Sequence, residues 1–216
     1  IPHLRSAGRD RTKIVRLPHE VGGRGHIIGN EEAILKKGSD SMYRLESDFM
    51  GELQIPTEAY YGIQTARAAE NFQITGIPVE RELIIALAEV KKAAARANMT
   101  AKRLNEAIGK EIVSEAEEII QGNHLRHFIV DAVQGGAGTS FNMNMNEVLA
   151  NLALEKMSKA KGDYFYCSPN NHVNMSQSTN DTIPTAIKIA AYRLAGELLE
   201  SLRILVGGFL DKAAQF

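Results

Sequence analysis

The last stretch of the chain constrains its fold more than any other. Ile187, Ala191, Leu194, Leu198, Leu202, Leu205, Phe209 and Phe216 trace a stripe close to a heptad. Thr182 and Pro184 supply a start, a hydroxyl cap and a ring that fixes φ in the first turn. Gly207-Gly208 weakens the pattern only locally, and it still runs at Phe216. A helix of about 30 residues is roughly 45 Å long. Such a rod cannot bury its stripe alone and needs partner helices. Two readings follow: a terminal helix that docks on its own domain, or the first helix of a bundle cut short at Phe216.

The upstream sequence agrees with a mainly α fold. Trp is absent and aromatics make up 6% of residues, which favours helices packed through Leu, Ile and Ala. Residues 80–101 predict a helix, with Leu83, Ala86, Leu87, Val90, Ala94 and Ala97 three or four apart. Residues 104–121 repeat the pattern with Ile108, Ile112, Ala116 and Ile119, and Gly122 marks a stop. A third helix is expected from Asn144 to Lys161, before Gly162. Residues 42–62 hold short β-prone stretches with a turn at Pro56-Thr57, and residues 163–181 read as a polar loop. Residues 1–41 differ. Six glycines without a sustained period and a net charge of +3, against −4 for the remainder, describe a flexible leader. Gly22-Gly23-Arg24-Gly25 is wrongly spaced to Gly29 for a dinucleotide loop. Met42 is a natural start, so the expected organisation is a leader over 1–41, a small helical domain over 42–180 and the bundle helix over 181–216.

Charge and composition narrow the partners. The net charge of −1 gives no field that favours nucleic acid or an anionic membrane. No apolar run reaches the length of a membrane span, and the first residues lack a signal-peptide core. The glycosylation-like sites at Asn98 and Asn174 are therefore read as chance matches. Cys167 stands alone, which excludes an intramolecular disulfide and suits a reducing cytoplasm.

Three segments offer chemistry. Gln134-Gly135-Gly136-Ala137-Gly138-Thr139-Ser140 leads into Asn142 and the third helix. Its glycines let a backbone approach a ligand, and Thr139, Ser140 and Asn142 add neutral donors suited to a carboxylate. It lacks the Lys of a P-loop. The run from Ser168 to Asp181, ending in Ser178-Thr179-Asn180-Asp181, is another dense set of neutral hydrogen-bonding groups. Read as pattern alone, each is also an ordinary capped helix start. In the third, Tyr60 to Phe72, Arg67 either meets a carboxylate substrate or makes a surface ion pair, the commoner role. His124 and His127 are three apart but have no third ligand nearby, so no metal is expected. Cys167 has no activating neighbour and reads as an idle thiol.

Taken together, these segments resemble the aspartase/fumarase superfamily over residues 42–216. Gly135-Gly136-Ala137-Gly138-Thr139-Ser140, with Asn142-Met143-Asn144 and Asn146-Glu147 behind it, is similar to the first motif of that family. Ser178-Thr179-Asn180-Asp181 with Pro184-Thr185 is similar to the second. Tyr60-Tyr61-Gly62-Ile63-Gln64-Thr65 and Ser168 resemble the aspartase branch, where fumarases usually place Trp and His. Residues 123–127 depart from the Trp-His-Asp-Gln usual before Phe in aspartases, with His124-Leu125-Arg126-His127 preceding Phe128 here. The resemblance implies reversible deamination of L-aspartate to fumarate and ammonia through an aci-carboxylate, without cofactor. It implies substrate contacts at Thr139, Ser140, Asn142, Ser178, Thr179 and Asn180, and a homotetramer with sites between subunits. The family's base is the Ser of a Gly-Ser-Ser loop that this sequence does not contain, so no catalytic base is assigned within it. A fumarase-like hydro-lyase and a non-catalytic helical oligomerisation module are the alternatives.

Overall fold

The computed structural model describes residues 42–216; the leader expected over 1–41 lies outside the described residues. The fold is mainly α. A hairpin of β1 (Tyr43–Asp48) and β2 (Gly51–Pro56) precedes five helices: α1 (Ile63–Asn71), α2 (Arg81–Thr100), α3 (Glu106–Ile120), α4 (Thr139–Lys156) and α5 (Thr179–Gln215). The strands pair antiparallel, Tyr43 opposite Pro56 and Asp48 opposite Gly51. The hairpin reversal therefore falls at Phe49-Met50, and the expected turn at Pro56-Thr57 follows β2, where the Ala59 N–H donates to the Pro56 carbonyl at 3.0 Å. Asp48 accepts the Met50 N–H at 2.8 Å, and Gly51 adopts φ 118°, a conformation that suits a residue without Cβ.

The helices α2 and α3 form where periodicity places them. On α2 the buried positions Ile84, Leu87, Ala88, Lys91, Ala95 and Asn98 make one stripe. On α3, Asn105 caps the start by accepting from the Ala107 and Ile108 N–H groups, and Gly122 at φ 95° ends it. Gly109 of α3 packs against Met99 of α2, leaving no room for a Cβ.

The central helix α4 starts at Thr139, five residues before the expected Asn144. It is buried almost all round, so no amphipathic stripe marks its beginning. Asn142, Asn144, Asn146 and Asn151 look like loop residues in sequence but are all buried on it. Asn144 donates to the His127 carbonyl at 2.9 Å, and Asn151 donates to the Tyr60 carbonyl at 2.9 Å.

Periodicity did not identify α1, and two carboxylates from elsewhere in the fold explain why it is stable. Gly62 provides no side-chain cap. Instead Glu147 of α4 accepts from the Gly62, Gln64 and Thr65 N–H groups at 2.9–3.0 Å, and Glu46 of β1 accepts from Ile63 at 2.9 Å. Negative charge at a helix N-terminus is favourable, and these bonds satisfy donors that would otherwise be orphaned. Burial pushes the Glu147 carboxyl up, and its N–H donors oppose that shift. A Cβ at Gly62 would run into the Tyr164 hydroxyl and the Glu147 carboxylate. The Tyr-Tyr-Gly segment is thus a packing device. Replacing Glu147 by Ala orphans three N–H groups and is expected to destabilise the chain by about 3–5 kcal/mol in urea unfolding. Glu147→Gln, which keeps an acceptor, is expected to cost less. Equal losses for the two variants would contradict the capping role.

The long helix α5 begins at Thr179, not at Thr182-Pro184. Ser178 accepts from the Asn180 N–H at 3.2 Å, and Asp181 accepts from the Ser178 N–H, a capping box. Pro184 consequently lies inside the helix, where it can give no bond to the Asn180 carbonyl. Thr182, Ile183, Ala186 and Ala190 are buried, and this first part of α5 packs against α2. Arg193 ends the contact with bonds to Glu82 and Glu89. From Ala191 onward every residue is exposed except half-buried Gly207. Among the described residues, no helix is long and apolar enough to cross a membrane.

Candidate functional site

The N-termini of α4 and α5 meet, and Asn142 joins them. This side chain is 4% exposed. Its amide nitrogen donates to Thr179 Oγ1 at 3.4 Å and to Asn174 Oδ1 at 3.2 Å. Its oxygen accepts from the Thr182 hydroxyl at 3.4 Å. Gly138, the residue before α4, has φ 86°, and a Cβ there would lie 2.9 Å from Ile183 Cγ2. A side chain at 138 would thus push the two helix ends apart. The Gln134 side chain accepts the Phe141 N–H at 2.6 Å, anchoring the glycine-rich loop to the first turn of α4.

Two helix N-termini side by side concentrate unsatisfied N–H groups and positive partial charge, a setting for an anion. Thr139 and Ser140 form the first turn of α4; Thr179 and Asn180 form that of α5. Thr139 and Asn180 are exposed, while Ser140 and Thr179 are half-buried, so the donors border solvent. Ser178 differs, because its hydroxyl serves the capping box. Ser168 likewise caps the wide turn Pro169–Val173 by accepting from Asn171. An apolar groove of about 650 Å³, lined by Val79, Leu83, Phe141 and Ile183 among others, runs beside Asn180.

Other candidates take structural roles. Arg67 pairs with Asp48 at 2.9 Å and donates to the Gly51 carbonyl, holding the hairpin to α1. His124 and His127 pack edge-on against Tyr60, and His127 Nδ1 accepts the Tyr60 N–H at 3.4 Å. Burial pushes His127 down to about 4, so the ring is neutral near pH 7. Cys167 is buried, and that burial pushes its thiol up to about 12, too high for a nucleophile at neutral pH.

One group near the site carried no motif. Lys91 of α2 is fully buried, and its ammonium donates to Asn174 Oδ1 and Gln177 Oε1, both at 2.9 Å. Burial pushes it down to about 7, against the opposing field of Asp181. The available signal was a lysine on the apolar stripe of α2, between Ala88 and Ala95.

A model of a lyase family matches residues 51–216. The chain belongs to the aspartase/fumarase family of lyases. This lyase chain is 58% identical over 174 residues to an aspartate ammonia-lyase of Bacillus subtilis, covering 81% of the chain and 37% of that relative. It is 47% identical to one from Pseudomonas fluorescens (82% and 38% covered) and 43% identical to one from Escherichia coli (80% and 37%). Among solved structures, a Brucella melitensis fumarate lyase:delta crystallin bound to cobalt matches with TM-score 0.79 and 46% identity, over 81% of this chain and 38% of that one. A class II fumarase from Schistosoma mansoni matches with TM-score 0.66 and 35% identity, over 68% and 31%. The lyase chain therefore spans less than two fifths of the relatives it matches.

The buried lysine gives this lyase chain a definite pH signature. Its folded pKa lies below the unfolded value of about 10.4, so between about pH 7 and 10 the unfolded state binds more protons. The cost of burying the charge is fully present below pH 7 and fades as pH rises. Wild type is accordingly expected to gain stability relative to Lys91→Met between pH 6 and 10, as measured by urea midpoints. A difference that stays constant with pH would contradict a depressed Lys91.

Proposed function

We propose that the joined N-termini of α4 and α5 form the dicarboxylate site of an ammonia-lyase that interconverts L-aspartate with fumarate and ammonia. The observation that carries this reading is the Asn142–Thr179 bond, which makes one donor set of two motifs 37 residues apart. The aspartate ammonia-lyases among the similar proteins support the choice of substrate.

The chemistry starts at the carbon that bears the proton to be lost, next to a carboxylate. A base takes that proton, and the electron pair moves into the carboxylate, giving an aci-carboxylate with two negative oxygens. The pair then returns to form the double bond as the C–N bond breaks, and nitrogen leaves as ammonia. The carboxylate is itself the electron sink, so the reaction needs no organic cofactor. Thr139, Ser140, Thr179 and Asn180 supply donors to the developing charge. Each such donor is worth about 2.7–4 kcal/mol in acyl-transfer enzymes, where this has been measured directly. Asn142 holds the two donor pairs together, and Ser178 acts through the cap of α5.

On this reading, the chain supplies the anion-binding half of the site and is inactive by itself. The base is the Ser of the family's Gly-Ser-Ser loop, and the working unit is a homotetramer in the cytoplasm. Incubating the intact enzyme separately with aspartate and with malate, while following fumarate absorbance, tests the assignment. Fumarate from aspartate alone supports an ammonia-lyase; fumarate from malate alone would make it a hydro-lyase. No fumarate from either would leave the helical module as an assembly element.

A further inference from the structure

The ammonium of Lys91 is sealed inside the fold. Its two partners, Asn174 and Gln177, are neutral amides. Burying a charge against neutral partners is costly, and a neutral donor would hold the same amides at lower cost. The connections lead towards the site. Asn174 Oδ1 accepts from both Lys91 and Asn142, and Asn142 in turn donates to Thr179 Oγ1. Lys91 also fixes the turn that enters α5: Gln177 Nε2 donates to the Val173 carbonyl at 2.8 Å, and Asn174 Nδ2 to the Gln177 carbonyl at 3.2 Å.

The charged groups around Lys91 are otherwise engaged. Asp181, at the start of α5, is the charge whose field acts on it. On α2, Lys92 pairs with Glu117, and Glu89 pairs with Arg193. From α4 and from the turn before α5 come only the neutral amides of Asn142, Asn174 and Gln177.

We propose that Lys91 is a positioning residue of the dicarboxylate site, orienting Asn142 and Thr179 through Asn174 and supplying from behind them the positive charge that the direct, neutral donors lack. This rests on the site proposed above. A bound dianion must then favour the protonated lysine, so binding takes up protons where Lys91 is mostly neutral in the free enzyme. A purely structural lysine makes no such link between proton and ligand.

The test is calorimetric titration of the intact enzyme with succinate, an unreactive dicarboxylate, at pH 8 in two buffers of different ionisation enthalpy. Wild type is expected to take up a fraction of a proton per site. Lys91→Met is expected to take up none and to bind at least tenfold more weakly. Unchanged affinity or unchanged proton uptake in that variant overturns the proposal. Asn174→Asp decides the matter if Lys91→Met does not fold. It sets a carboxylate against the lysine, so the group is already charged, and the same two losses are expected. An unaltered Asn174→Asp overturns the proposal. Wild type that binds succinate with proton uptake but makes no fumarate from aspartate contradicts the reaction and supports the lysine's role. Failure of wild type to bind any dicarboxylate overturns both.

Discussion

Asn142→Leu in the intact enzyme is expected to lower kcat/KM for aspartate by about 10²–10³, the loss typical of one preorganised donor. Leucine keeps the volume but removes both donations, to Asn174 and to Thr179, and the acceptor for Thr182. The two helix ends then lose the bond that fixes their spacing. Thr182 retains its bond to the Ser178 carbonyl, so the cost in stability stays near 1–3 kcal/mol. A folded but nearly inactive enzyme is the expected result. Thr185→Val provides the control. That exposed hydroxyl only returns a bond to the Asp181 carbonyl within α5, and its removal is expected to leave kcat/KM within about threefold. A folded Asn142→Leu enzyme with activity close to wild type would show that the joined helix ends do not form the reacting site.

The second large effect concerns assembly. Leu194, Leu198, Leu202, Leu205 and Phe209 are between 43% and 68% exposed on α5, a continuous apolar face of a kind that rarely stays in water. Leu198→Glu with Leu202→Glu removes two apolar side chains from that face, each worth roughly 1.5–3 kcal/mol when buried. The same change places two carboxylates where desolvation would cost several kcal/mol more. In a symmetric interface every loss occurs at least twice. Self-association is expected to weaken by about 10⁴-fold or more, since each 1.4 kcal/mol is about tenfold. Sedimentation should show the wild-type chain larger than a monomer and the double variant as a monomer. Equal sedimentation of the two proteins would mean that this face is not where copies meet.

How legible the molecule was in its sequence depended on which side chains were buried. Periodicity located α2 and α3 because one face of each is apolar and the other polar. It misplaced the start of α4 because the helix buries Asn142, Asn144 and Asn146, residues ordinarily found in loops. It could not find α1, which is secured by Glu46 and Glu147 from distant elements. At α5 two local signals competed. Ser178-x-x-Asp181 and Pro184 both mark helix starts, and the capping box set the boundary. The neutral donors of the candidate site were visible as two motifs. Their union through Asn142 was not, because it depends on long-range packing. Lys91 was missed for a related reason: in sequence it is one of two adjacent lysines, and only the fold shows that one is sealed inside while its neighbour pairs with Glu117.

The proposed site holds one carboxylate where the two helix N-termini meet. A crystal structure of the intact enzyme with fumarate or succinate bound tests it most directly. Carboxylate oxygens are expected within about 3.2 Å of donors from both Thr139-Ser140 and Thr179-Asn180. A dicarboxylate seated beyond hydrogen-bond reach of both pairs would contradict it.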